Sequence, residues 1–150
     1  MLSFHQQTAL RRVAEFLSET ADPWWVLGSA AMALIGVDPG EIRDIDVLVS
    51  AGDAEALMTA YSLPNEADGG TDRFRSTYFL KPDLGDVPVE VMGGYQIRTA
   101  GLWTSVEPLS RQRITLDDAK IYVPNLSEQM EILKQLGRPK DLARLKRFNR

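Results

Sequence analysis

The sequence predicts an α/β domain in which helices flank a small mixed β-sheet. Runs rich in β-branched residues alternate with helix-forming segments, a pattern typical of α/β and α+β proteins. The chain has 150 residues, of which 44% are hydrophobic and 25% are charged, as expected for one globular domain. We therefore expect a single domain over 1–150, with its core at about 24–92 and a C-terminal helical segment at about 125–150.

The elements before position 93 follow from the spacing of apolar residues and from turn signals. Leu10, Val13 and Leu17 recur at helical spacing, whereas the run 44–49 alternates in polarity as a half-buried strand does. The triplet 38–40, Asp-Pro-Gly, marks a turn before that strand. In chain order we expect a helix over 8–19, a strand over 24–27, a helix over 29–34, a strand over 44–49, a helix over 53–61 and consecutive strands over 73–81 and 87–92.

The last third of the chain is predicted in part. Asn125 followed by Glu128 has the form of a capping box, which predicts that a helix starts there. Gly137 is placed to end that helix and Pro139 to begin a terminal one. The stretch 93–123 contains apolar residues that suggest short strands, but their spacing fixes no order, so its topology stays open.

The residue inventory limits the possible chemistry. With no cysteine and one histidine, disulfides, cysteine nucleophiles and Cys/His zinc sites are excluded. A metal must therefore bind oxygen ligands, which suits Mg²⁺ or Mn²⁺. No stretch approaches the ~20 apolar residues of a membrane span and the start lacks a signal peptide's regions, so we expect a cytoplasmic protein without membrane contact. The net charge of −4 opposes general adhesion to nucleic acid.

Carboxylates on two predicted strands are the first candidate functional residues. Alternation places Asp44 and Asp46 on one face of their strand and the apolar residues between them on the other. Glu90 repeats this arrangement between two valines on a later strand. Residues two apart in a strand are ~7 Å apart, near enough for both side chains to converge on cations ~3.5–4 Å apart. A third carboxylate from a neighbouring strand would complete such a site.

Other interpretations of these acids stay open. Asp44 and Asp46 could be solvated positions on a half-exposed strand, although aspartate is disfavoured in strands and like charges this close repel each other. Glu90 could equally form a surface salt bridge, in which case Asp86 is the fallback third ligand. The Gly28-Ser29 turn, between a strand and a helix, is suited to binding phosphate, but Ser29 is equally well explained as an ordinary helix cap.

Together these features resemble the polymerase-β-like nucleotidyltransferase superfamily. The signature of that superfamily is a Gly-Ser turn that opens a helix, an acid-x-acid pair on the next strand and a third acid between apolar residues. Here Gly28-Ser29, 44–46 and 89–91 occur in that order. The stretch 24–49 also looks like minimal bacterial, toxin-type members, and the segment 133–142 is similar to the basic helical segment that closes those proteins.

The resemblance implies a nucleotidyltransferase fold and an enzyme that transfers a nucleoside monophosphate from a nucleoside triphosphate, with ATP as one candidate, to a hydroxyl acceptor. It implies that Asp44, Asp46 and Glu90 hold Mg²⁺ or Mn²⁺. The nucleotide-binding candidates are Gly28, Ser29, Arg43, Lys134, Arg138 and Lys140. RNA, a protein or a small molecule is compatible as acceptor, and a protein partner and a role in a toxin–antitoxin pair are further expectations.

Two features depart from the compact members of that superfamily, and rival functions remain. The spacing from Gly28 to Asp44 is longer, and we expect no room in these 150 residues for a separate acceptor-binding domain. A non-catalytic domain that binds a nucleotide or a partner is the main alternative, followed by an aspartyl phosphatase or a glycosyltransferase. The basic cluster Arg138, Lys140, Arg144, Lys146, Arg147 and Arg150 could contact RNA or be a solvated helix face. Trp24, Trp25 and Trp103 are expected in the core, and His5 is expected to be an ordinary helix residue.

Overall fold

A computed structural model describes residues 1–149 and confirms the predicted α/β fold with a mixed sheet. The described part contains five helices and nine strands. In chain order these are α1 (Phe4–Phe16), β1 (Trp25–Leu27), α2 (Gly28–Leu34), β2 (Ile45–Val49), α3 (Ala51–Tyr61), β3 (Phe74–Arg75), β4 (Tyr78–Leu80), β5 (Val89–Gly93), β6 (Gln96–Thr99), β7 (Leu102–Ser105), β8 (Gln112–Leu116), β9 (Ala119–Val123), α4 (Leu126–Leu136) and α5 (Pro139–Arg147).

The main sheet has the strand order β1-β2-β5-β4. Strands β2 and β5 run parallel, while the two outer pairs are antiparallel. In the parallel pair Asp46 is in register with Glu90, so the two strands that carry the predicted acids are direct neighbours. A three-stranded sheet, β3-β6-β7, and the β8–β9 hairpin complete the β-structure of the described residues.

Both faces of the main sheet are packed, and the alternation predicted for β2 is confirmed. Ile45, Val47 and Val49 belong to a core cluster together with residues of α1, α3 and β9. On the other face Leu48 joins a second cluster that includes Leu136 of α4. Helices α4 and α5 lie on that second face. The acidic side chains on the same face therefore point into a space that these two helices bound.

Helix boundaries largely agree with the sequence, with one correction at α4. Asn125 caps the helix, and its side chain accepts a hydrogen bond from the Glu128 amide at 2.9 Å. The second half of the predicted capping box is wrong, because the Glu128 carboxylate accepts from the amides of Leu109 and Ser110 and from the Ser110 hydroxyl. Ser110 Oγ in turn accepts from the Asn125 amide at 2.9 Å. Glu128 therefore fastens the loop before β8 to α4.

The prediction of one continuous strand over 73–81 is wrong. The chain breaks between β3 and β4, and β3 pairs with β6 while β4 pairs with β5. The chain also bends between the two partner strands β5 and β6, because Gly94 adopts a left-handed conformation with φ of 66°. A side chain at Gly94 would lie 2.8 Å from Thr77 Oγ1, so the two bends pack closely against each other.

The undetermined stretch 93–123 forms the β6–β7 and β8–β9 hairpins. Trp24 is buried as expected, and Trp25 packs against the second core cluster. The expectation that Trp103 is a core residue is wrong, because it is half-buried and joins neither cluster. Within the part of the chain that the structure describes, no helix has the length and apolar character needed to span a membrane.

Candidate active site

Three carboxylates converge where β2 and β5 lie side by side. Asp44 precedes β2, Asp46 lies within it, and Glu90 occupies the matching position of β5. Each offers an oxygen, and these oxygens lie within 4.8 Å of one another. The structure thus brings together the three acids that the sequence singled out. Asp86, the fallback ligand, is exposed outside this group and pairs with His5 Nδ1 at 3.1 Å.

Crowding and partial removal from water change the acidity of this cluster. Burial raises the pKa of Asp46 to about 7, and the negative charges of Asp44 and Glu90 act in the same direction. Burial, followed by the charge of Asp44, also raises the pKa of Glu90. The positive charges of Lys140 and Arg144 oppose the shift at Asp46. The cluster is therefore a place where a bound cation would be stabilised.

The cluster opens into a cavity of about 850 Å³ between the sheet and the two C-terminal helices. Of the predicted nucleotide-binding residues, Gly28, Arg43, Arg138 and Lys140 line this cavity. Ser29 is buried in the first turn of α2 and does not line it, and neither does the exposed Lys134. Arg43 is exposed and pairs with Glu41 at 3.2 Å.

Gly28 brings the main chain close to the acidic cluster. It has φ of +68°, a conformation that side chains disfavour, and a Cβ atom there would lie 3.1 Å from Asp46 Oδ2. The interpretation of Ser29 as an ordinary helix cap is wrong, because Leu27 is the N-cap of α2 and makes no side-chain cap. The turn therefore exposes bare backbone beside Asp46.

A buried ion pair organises the start of α5. Asp141 is 1% exposed and accepts hydrogen bonds from Arg138 Nε at 2.6 Å, Arg138 Nη2 at 3.1 Å and the Arg138 amide at 3.1 Å. Burial opposes the charge of Arg138, but the bonds to Asp141 outweigh it and raise the Arg138 pKa. The guanidinium also lies 5.1 Å from the centre of the Phe74 ring. Arg138 is thus held in one position at the cavity wall.

Several cavity residues were not predicted as part of the site. Arg75, Tyr95 and Gln129 reach the cavity from β3, the β5–β6 bend and α4. The Gln129 amide donates to Pro124 O at 2.9 Å, while its Oε1 has no partner among residues 1–149. Arg144 and Arg147, noted in the sequence only as part of a basic cluster, also line the cavity. Arg150 of that cluster lies outside the described residues.

Several solved structures share this architecture. A Thermotoga maritima protein assigned to the nucleotidyltransferases superposes with a TM-score of 0.77 at 24% identity, over 99% of this chain and 95% of that one. The chain has the nucleotidyltransferase fold. The lincosamide antibiotic adenylyltransferase LnuA, bound to lincomycin, shares this fold with a TM-score of 0.58 at 15% identity and 94% coverage of each chain.

A third neighbour with the nucleotidyltransferase fold is ANT(2″)-Ia in complex with adenylyl-2″-tobramycin. Its TM-score is 0.52 at 14% identity, and the match covers 95% of this chain and 87% of that one. The sequence matches no family model, and no curated protein matches it. The resemblance drawn from Gly28, the acid pair and Glu90 is confirmed at the level of the fold.

Proposed function

We propose that the protein is a metal-dependent nucleotidyltransferase that moves a nucleoside monophosphate from a nucleoside triphosphate to a hydroxyl acceptor and releases pyrophosphate. The observation that carries the proposal is the convergence of Asp44, Asp46 and Glu90 within 4.8 Å in a cavity also lined by Lys140. Solved proteins with this fold include adenylyltransferases, which supports the same class of reaction here.

The donor set fits a hard divalent cation. All three groups are carboxylates, and such oxygens are the ligands that Mg²⁺ and Mn²⁺ prefer. Burial, followed by the negative charges of Asp44 and Glu90, raises the pKa of Asp46, and a bound cation would stabilise its charged form. When bound, the ions would supply Lewis-acid stabilisation of the attacking and leaving oxygens. Asp44, Asp46 and Glu90 are the proposed ligands, with Mg²⁺ as the metal and Mn²⁺ as its substitute.

The cavity residues suggest how the substrate is oriented. Lys140, Arg144 and the anchored Arg138 can bind the triphosphate through ammonium and guanidinium donors, as phosphate groups require. The bare backbone at Gly28 lets the phosphates approach Asp46 closely. Arg43 also lines the cavity and remains a proposed contact, whereas Ser29 and Lys134 lie outside its lining and are proposed from the resemblance alone. The acceptor oxygen then forms a bond to the α-phosphorus as the bond to the β-phosphate oxygen breaks, and the hydroxyl proton passes to Glu90 or to water.

The acceptor belongs to the proposal in general terms only. LnuA is solved with lincomycin and ANT(2″)-Ia with adenylyl-2″-tobramycin, so small molecules are candidates. RNA and protein side chains have the same reactive hydroxyl. We also propose a cytoplasmic location, from the composition of the sequence. A protein partner and a role in a toxin–antitoxin pair are proposed from the family resemblance.

The rival function is a domain that keeps the fold and binds a nucleotide or a partner without transfer. The two functions differ in whether nucleotide binding depends on metal, because a catalytic site must hold the triphosphate through its cation. The cluster of three acids favours the enzyme, since a binding domain has no need to hold three carboxylates this close together and to raise the pKa values of Asp46 and Glu90.

Calorimetric titration with ATP, GTP, CTP and UTP, in Mg²⁺ and in EDTA, tests the proposal. We expect one triphosphate to bind in Mg²⁺ and to lose binding in EDTA and in Asp44→Asn/Asp46→Asn. The control is Asp118→Asn/Glu131→Gln, which removes the same charge at exposed positions outside the cavity. The triphosphate so identified, labelled at its α-phosphate, then serves to find the acceptor. Triphosphate binding that is the same in Mg²⁺, in EDTA and in the double variant would support the rival function.

A further inference from the structure

The outer face of the β3-β6-β7 sheet carries a cationic and aromatic surface that the proposed reaction does not use. Alternation along paired strands places five residues on this face, which we call the Arg–Trp face: Arg75, Gln96, Arg98, Trp103 and Ser105. Arg75 and Arg98 are exposed, and Trp103 is half-buried. None of the five is acidic, in a chain with 21 acidic residues.

The two guanidinium groups are held against the indole. The Arg75 Cζ lies 4.2 Å from the centre of the Trp103 ring and the Arg98 Cζ 5.9 Å from it. Arg75 Nε also donates to Gln96 Oε1 at 2.7 Å. The contact with the indole and this bond hold the Arg75 side chain, which is nevertheless exposed to a ligand. An ordered Arg75 beside the exposed Arg98 is a better anion site than two mobile cations.

The Arg–Trp face is continuous with the candidate active site. Arg75 belongs to the face and also lines the cavity that contains Asp44, Asp46 and Glu90. A molecule bound across the face can therefore extend past Arg75 toward the acidic cluster.

We infer that the Arg–Trp face binds single-stranded RNA and that RNA is the acceptor class of this enzyme. This inference rests on the proposed function. RNA offers phosphates for the guanidinium edges, bases that stack on guanidinium planes, and ribose hydroxyls as acceptors. The overall charge of −4 does not prevent this, because charges beyond about 8 Å are screened at physiological salt while those on the face are close to the bound strand.

Fluorescence anisotropy with a labelled 12-nucleotide single-stranded RNA, without nucleotide, tests the inference. We expect the unsubstituted protein to bind and Arg75→Glu/Arg98→Glu to lose about 10-fold or more in affinity, with a smaller salt dependence. Trp103→Ala is expected to lose about 5-fold or more because the guanidiniums are released. The matched control is Arg113→Glu/Lys120→Glu, the same charge change at exposed positions of the β8–β9 hairpin.

Each outcome supports or overturns the inference. Absence of RNA binding, or equal losses in the control and in the Arg75/Arg98 variant, overturns it, as does unchanged binding in that variant. Because Arg98 does not line the cavity, Arg98→Glu should weaken RNA binding and keep Mg²⁺-dependent nucleotide binding within about 2-fold. Asp44→Asn/Asp46→Asn should still bind RNA, so failure of the proposed function and failure of RNA binding are separate results.

Discussion

Among single residues, Asp46 has the environment that departs most from that of an ordinary surface aspartate. It lies in register with Glu90, close to Asp44, and directly beneath the bare backbone of Gly28. Its carboxylate is charged at neutral pH only at a cost, because burial and two like charges act against ionisation. Such an arrangement is costly for stability and is typical of sites that exist for a ligand.

The Asp46 environment predicts how stability depends on pH. The Asp46 pKa rises from 3.8 to about 7 on folding, so between these values the folded protein holds a proton that the unfolded chain has lost. The free energy of unfolding of the metal-free protein should therefore fall as the pH rises from about 4 to about 7. In urea titrations over this pH range, the free energy of unfolding should fall less in Asp46→Asn than in Asp118→Asn. Equal pH dependence in the two variants would contradict the assigned environment.

The acids of the site could be predicted from sequence, whereas most of the cavity wall could not. Asp44, Asp46 and Glu90 stand out locally, because each interrupts an apolar alternation on a strand. Arg75 and Tyr95 carry no such signal. They reach the cavity through the bend at Gly94 and the pairing of β3 with β6, which are tertiary features.

At the scale of elements, the contact between α3 and β5 fixes the strand that carries Glu90. A Cβ atom at Gly93 would lie 2.5 Å from the Ala54 Cβ, so the helix sits directly on the strand. Gly93→Ala should force the two apart and lower the free energy of unfolding by about 1–3 kcal/mol. Gly52→Ala, in the same helix with open space around it, should change the free energy by at most about 1 kcal/mol. Denaturant titration of both proteins checks this, and equal values would contradict the close contact.

The sequence predicted the strands of the main sheet but not the smaller sheets. Strands β2 and β5 alternate in polarity because one face is apolar and buried in the core, while Asp46 and Glu90 interrupt the other face. In β7, by contrast, Leu102 is 71% exposed and Trp103 packs under arginines. The apolar residues of this strand therefore do not mark a buried face. The helix starts at Asn125 and Pro139 were correctly predicted, because capping and proline preferences act locally.

At the scale of the whole molecule, the site lies between two units that meet around the cavity. The acids come from the sheet, while Arg138, Lys140 and Arg144 come from the C-terminal segment. A nucleotide bound through its cation to the acids and through its phosphates to α5 would connect the two. Binding should therefore stabilise the folded protein as a whole.

This arrangement predicts a thermal shift that depends on both sides of the cavity. At a triphosphate concentration of 100 Kd in Mg²⁺, a stabilisation of about 2.7 kcal/mol corresponds to a rise in Tm of about 5–10 °C. We expect Lys140→Ala/Arg144→Ala to remove most of this rise at the same concentration, because the phosphates lose two cations. The control Arg113→Ala/Lys120→Ala should keep it. If Lys140→Ala/Arg144→Ala kept the full rise in Tm, the phosphates would not bind to these two residues of α5.

The most direct test of the central claim is the position of manganese in a crystal grown with Mn²⁺ and an α,β-methylene analogue of the triphosphate that binds. Anomalous difference density locates the metal independently of any assumption about ligands. The account predicts peaks about 2.1 Å from carboxylate oxygens of Asp44, Asp46 and Glu90, in contact with the phosphates. Bound nucleotide without manganese at these carboxylates, or manganese bound elsewhere, would contradict it.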